Sequence, residues 1–174
     1  MRCEHGKSFW TRQLTSLLEQ LAAMIETLGD GQYTSLRARE VSGSIGGHVR
    51  HCLDHVAALV GGVECGRIRY DARLRGTPVE SCRHAALAAI GRLAGDLDAV
   101  AAAAPDDGVT VLVRTSPGGP ELPVPSTVAR ELTFVASHTV HHFAIIALLL
   151  HDMGVAVPPR FGYAPSTPSP ELAA

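Results

Sequence analysis

Aromatic residues make up only 5% of this 174-residue chain, and neither sign of charge dominates: 15 Lys+Arg stand against 17 Asp+Glu, a formal net charge of −2. That balance argues against a global electrostatic grip on nucleic acid. The four cysteines, Cys3, Cys52, Cys65 and Cys82, form no CxxC pair. A domain of this length needs no disulfide staples, so reduced thiols in a cytoplasmic protein are expected. The longest clean apolar run, Phe143 to Leu150, is far too short to span a bilayer. Met1 to Lys7 lacks the apolar stretch and small-residue cleavage site of a signal peptide, and no export or membrane partner is expected. A phosphate-cradling glycine loop followed by Lys and Ser/Thr is missing, as is a nucleophile elbow. What remains is a chain with 46% hydrophobic and 18% charged residues, too apolar for disorder and long enough for one real core.

Leu14, Leu17, Leu18, Leu21, Ile25 and Leu28 recur at helical spacing and predict a first helix over Phe9 to Leu28, stopped by Gly29-Asp30-Gly31. Residues 32–42 are polar and read as a connection. A second helix, capped by Ser42 or Ser44, is expected to run to about Val60, where Gly61-Gly62 stops it. Pro78 can open a third helix, which reaches the Ala101–Ala104 run and breaks at Pro105-Asp106-Asp107-Gly108. The β-branched Val109 to Val113, the turn at Ser116 to Pro120 and a return strand at Glu121 to Val124 predict a small hairpin. A fourth helix extends from near Ser126 to about Met153. The expectation is an all-α four-helix bundle with a small β-hairpin before the last helix, spanning residues 1–157. A Pro/Ser-rich tail follows over 158–174.

The residue in excess is histidine, nine in all, of which six fall in two short clusters. On the fourth helix, taking His138 as zero, His142 lies at about 40°, Leu149 at about 20° and Val135 at about 60°, so both imidazoles fall on the apolar stripe. His141, at about −60°, is on its flank. On the second helix, taking His48 as zero, Cys52 falls at about 40°, Leu59 at about 20°, His55 at about −20° and His51 at about −60°. His48 therefore points inward with His55 two turns along, and His51 flanks. Two imidazoles at i and i+4 plus a third from a facing helix can converge on one cation and leave open coordination positions, as in catalytic rather than closed sites. A lone inward histidine is more often a hydrogen-bonded core residue. Three together are costly to bury unless something satisfies their nitrogens. His5, His84 and His151 carry no such signal.

Ser44-Ile45-Gly46-Gly47-His48-Val49-Arg50-His51-Cys52-Leu53-Asp54-His55 resembles the second-helix motif of the DinB-like superfamily, and Ser137-His138-Thr139-Val140-His141-His142-Phe143 its fourth-helix HxxxH motif. Phe161 to Thr167 resembles a tail found in some members, and Tyr70 to Glu80 loosely resembles a segment between helices two and three. The order of elements matches over nearly the whole chain. The resemblance implies an up-down-down-up four-helix bundle, often a homodimer, that binds a divalent metal through three histidines; imidazole ligands accept zinc, nickel, iron or copper, of which zinc, nickel or iron is expected here. Carried over by motif, these are His48, His138 and His142. Members of known activity include thiol-dependent transferases and isomerases that use small thiols.

Other residues bear on the chemistry. Glu131, seven residues before His138 on the same face, can orient a ligand, act as a base, or pair with an arginine at the helix start. Glu131, His51 and His55 are the candidate proton-transfer groups. Cys52 as thiolate would favour zinc, although a small buried hydrophobe is its more ordinary role. Four arginines, Arg67, Arg69, Arg73 and Arg75, fall in nine residues. A solvated loop with Asp71 and Glu80 compensating is favoured there over an anion site or a nucleic-acid contact. The expected function is a metal-dependent enzyme acting on a small molecule. A low-molecular-weight thiol is the first choice of co-substrate, and hydrolysis is second. The alternative is a metal or ligand sensor working through dimer contacts without turnover.

Overall fold

The computed structural model describes residues 5–36, 43–72 and 75–168. In chain order these form α1 (His5–Glu26), α2 (Asp30–Thr34), α3 (Ile45–Cys65), β1 (Arg67–Ile68), α4 (Pro78–Ser81), α5 (Arg83–Val100), β2 (Gly108–Val113), β3 (Leu122–Thr127) and α6 (Val128–Asp152). The protein is mostly helical with one small sheet. Each of the four long helices packs against two others: α1 and α3 both lie on α5 and α6. The predicted leucine stripe of α1 is buried, with Leu14, Leu18, Leu21 and Ile25 at its centre. Each such side chain contributes about 1.5–3 kcal/mol relative to exposure.

Ser44 caps α3 as expected, its hydroxyl accepting from the Gly47 N–H at 3.1 Å, while Ser42, the other candidate cap, lies outside the described residues. The helix does not stop at Gly61-Gly62; it continues to Cys65 and ends at Gly66, which takes the left-handed conformation with φ 71°. Gly62 serves a different purpose. A Cβ there would run into Ile68 and the Arg67 carbonyl, so the glycine lets β1 lie directly on the helix. Pro78 opens α4 in its first turn, but the helix breaks at Cys82 and restarts as α5. The short helix α2 stands where a polar connection begins in the sequence reading. Its buried Tyr33 donates to the Val79 carbonyl on α4 at 2.7 Å.

The expected hairpin is present and longer than foreseen, with β2 and β3 antiparallel from Gly108↔Thr127 to Val113↔Leu122. A third strand joins it: β1 pairs in parallel with β2, Arg67 opposite Thr110 and Ile68 opposite Val111. The sheet order is β1-β2-β3, which leaves β3, with Pro123 and Pro125, at an edge. Beyond α6, Phe161 is buried and stacks on Phe143 with ring centroids 4.3 Å apart, so part of the expected tail packs on the helix. By length and composition α6 would suffice to cross a bilayer, with a mean hydropathy of 1.6. Here it packs against α1 and α3 and turns His138 and His142 toward α3.

Candidate metal centre

The core faces of α3 and α6 fix where the histidines stand. On α3 the buried Val49, Leu53 and Val56 lie about 80–140° round the helix from His48. On α6 the buried Val135, Thr139, Phe143 and Ile146 lie about 60–140° round from His138. The histidines therefore form the rim of the apolar core rather than its middle. His48, His51, His138 and His142 are half-buried along the α3–α6 seam, and among these five His55 alone is buried. The reading that placed His51 on a flank is revised by this rotation: the seam runs through His51, which contacts the rings of His55, His138 and His142.

Five imidazoles make a continuous row. Ring centroids are 4.2 Å apart between His55 and His138, 4.4 Å between His51 and His142, 4.7 Å between His138 and His142, and 5.3 Å between His48 and His142. One ligand atom from each of His51, His55 and His138 falls within 4.8 Å of the others, close enough to hold a metal ion. The Nε2 atoms of His51 and His138 are 2.8 Å apart. The Nδ1 of His55 lies 2.9 Å from the His51 carbonyl, which can only accept, so Nδ1 carries the proton and Nε2 the lone pair. That is the tautomer of a ligating imidazole whose other nitrogen is anchored. Two imidazole nitrogens as close as those of His51 and His138 are held together either by one shared proton or by a cation that takes both lone pairs. Ligand nitrogens of a tetrahedral zinc site stand about 3.3 Å apart, so this pair would need to open by only about half an ångström. The residues present fit a divalent cation.

His48 and His142 form the next pair along the row, Nδ1 to Nδ1 at 3.1 Å. Burial, reinforced by His138, His48 and the other neighbouring imidazoles, pushes the His142 pKa down to about 3. At neutral pH it therefore offers a lone pair and no charge. These two rings face a cavity of about 400 Å³ bordered by Ser44, Arg50, His51 and Glu80. Arg50 is neutralised there by Glu80 at 2.8 Å and Asp54 at 2.7 Å.

The opposite end of the row is covered. Tyr70, just after β1, stacks on His55 at 5.2 Å with 11° between planes, and Phe134 stacks on His138 at 5.8 Å. The Tyr70 hydroxyl donates to Glu131 at 2.8 Å. Burial, together with that hydrogen bond and the nearby carboxylate, raises the Tyr70 pKa and keeps the phenol protonated. Glu131 is fully buried and also receives Ser126 and, at 2.6 Å, Arg130. It reaches the row through Tyr70, and the arginine pairing considered from sequence is present. Nothing in the periodicity marks Tyr70; its signal is a lone aromatic inside an arginine-rich stretch.

The remaining candidates fall outside the cluster. Cys52 is fully buried with its thiol pushed up to about 12 by burial, so it is a small core hydrophobe and not a thiolate. His141 is exposed, 5.3 Å ring to ring from His142, and His84 and His151 are exposed elsewhere. In the arginine-rich stretch, Arg67 is exposed and Arg69 pairs with Glu121 at 3.2 Å, while Arg73 lies outside the described residues. Glu80 serves Arg50 instead of that stretch.

No family model matches this chain. A stretch of 42 residues is 43% identical to part of FK506-binding protein 5 from Rhizopus delemar. It covers 24% of this chain and 11% of that protein.

Proposed function

We propose that this chain is a DinB-like metalloenzyme: an up-down-down-up bundle, working as a homodimer, that holds a divalent cation on histidines and acts on a small molecule. The observation that carries the reading is the convergence of His51, His55 and His138 from two different helices. The short match to FK506-binding protein 5 spans too little of either chain to bear on it.

In this reading His51, His55 and His138 hold the cation, and His138 is the residue common to the motif-based set. A bound divalent ion supplies Lewis acidity, lowering the pKa of a coordinated water or thiol and polarising an electrophile. The chain's own groups do the rest. The His51 carbonyl fixes the His55 tautomer, and Tyr70, tied to Glu131, covers that ring and excludes water. His48 and His142 border the open cavity, where a substrate would be received beside the row. Thiol transfer or isomerisation is the preferred reaction class and hydrolysis the second.

A second ligand set, His48, His138 and His142, is favoured by the 3.1 Å approach of His48 to His142 and by the motif resemblance. Metal analysis of protein purified without an affinity tag separates the two. His138→Ala abolishes binding in both. Loss in His51→Ala and His55→Ala with retention in His48→Ala supports the first set, and the reverse pattern supports the second. Equal metal content in wild type and His138→Ala removes the site. Turnover of the loaded protein over thiol-transfer and ester or amide panels then tests the enzyme reading.

A further inference from the structure

A second concavity, of about 720 Å³, shares no lining residue with the imidazole row. It lies on the far side of α6, where Thr133, Val140 and Phe143 stand about 140–220° round the helix from His138. α1 supplies Trp10 and Arg12, and the segment after α6 supplies Arg160, Gly162 and Tyr163. That last wall is fixed in place. Phe161 is buried against Phe143. Gly162, at φ 80°, lies so close to the Ala144 backbone that a Cβ would collide with it. Arg160 is held at φ 60°, the left-handed region, where it is alone among the described non-glycine residues. Such conformations persist where the surrounding contacts over-determine them. Its guanidinium donates to the Thr167 carbonyl at 2.9 Å and lies over the Tyr163 ring.

We propose that this cavity is a binding site for a small apolar carboxylate, its acyl or aryl body against Trp10, Phe143 and Tyr163 and its head between Arg12 and Arg160. Cavities of roughly 300–1,000 Å³ with aromatic walls and a few placed polar groups are the usual form of small-molecule sites. The planar guanidinium fork matches a carboxylate in both shape and charge. The site stands independently of the metal reading, because no histidine lines it.

Trp10 is the single tryptophan of the chain and lines the cavity, so its emission reports occupancy directly. Full-length protein titrated with dodecanoate below its micelle concentration is expected to show a saturable change in Trp10 emission. Dodecyltrimethylammonium, with the same tail and opposite charge, is expected to bind at least roughly ten-fold more weakly. Arg12→Gln and Arg160→Gln, both at exposed positions, should each weaken dodecanoate by roughly ten-fold. His138→Ala should leave it unchanged. Calorimetry on Trp10→Phe checks binding without the reporter. Equal affinity for the two surfactants would overturn the proposal, as would undiminished dodecanoate binding in the double arginine variant. An emission change that instead tracks formation of a dimer in light scattering would overturn it too, because a second copy would then fill the groove.

Discussion

At one end of the imidazole row, His55 lies under Tyr70 and His138 under Phe134, with the fully buried Glu131 behind them. At the other end, His48 and His142 face a cavity of about 400 Å³ in which Arg50 is paired with Glu80, with Asp54 as its second partner on α3. The same residue type is thus set in two environments by what the neighbouring elements bring. The covered end owes its roof to β1 and the chain after it, anchored through the parallel pairing to β2. Among the described residues, the open end is bordered by α3, by Glu80 of α4, by His142 of α6 and by Leu36, Gly43 and Ser44. Covered, water-poor surroundings suit groups that hold an ion, and an accessible pocket suits groups that meet a substrate.

The sharpest way to break that contrast is to remove one ring from each end. His55→Ala is expected to weaken zinc binding by more than about a hundredfold, beyond the usual cost of losing a supporting residue, whereas His48→Ala should cost less than about tenfold. Competition titration against a chromogenic chelator measures both. Next in size, Tyr70→Phe removes the hydroxyl that Glu131 accepts and should destabilise the protein by about 1–2 kcal/mol in urea denaturation. It should also lower zinc affinity up to about tenfold.

The pH response probes the open end. The folded pKa of His142 is pushed down to about 3 from an ordinary value of 6.5. Between those values the unfolded chain takes a proton that the folded chain refuses. Its contribution is therefore fully present above about pH 6.5 and is lost as pH falls toward 3. The urea midpoint of metal-free protein should fall more steeply from pH 7 to pH 4 than that of His142→Gln. The smallest effect is expected from Glu80→Gln, below about 1 kcal/mol, because the pair is partly exposed and Arg50 keeps Asp54. Zinc binding should not change.

Sequence periodicity made the long helices and the hairpin legible, because a leucine stripe or a β-branched run reports burial locally. It missed β1, a two-residue strand whose pairing depends on β2 some forty positions later, and α2, whose Tyr33 is fixed by a contact with α4. Gly61-Gly62 shows the same limit: a glycine admitted for close packing reads, locally, like a stop signal. The histidine clusters were visible because that residue is rare and its spacing regular. Their rotation was not. Apolar residues and imidazoles share one broad arc of α3, and only the packing of α3 against α5 and α6 shows which part of that arc is core and which is rim. Tyr70 had no periodic signal, since its role depends on a residue 61 positions away.

The prolines of β3 have a consequence for the protein's behaviour at high concentration. Pro123 and Pro125 are two residues apart, so their nitrogens point to the same side of the strand. The pairing to β2 is intact, which assigns that side to solvent. A strand from another molecule arriving at this border would find donors missing at successive positions. Among the described residues β3 is the last strand on this side, and that border gives no template for fibril growth.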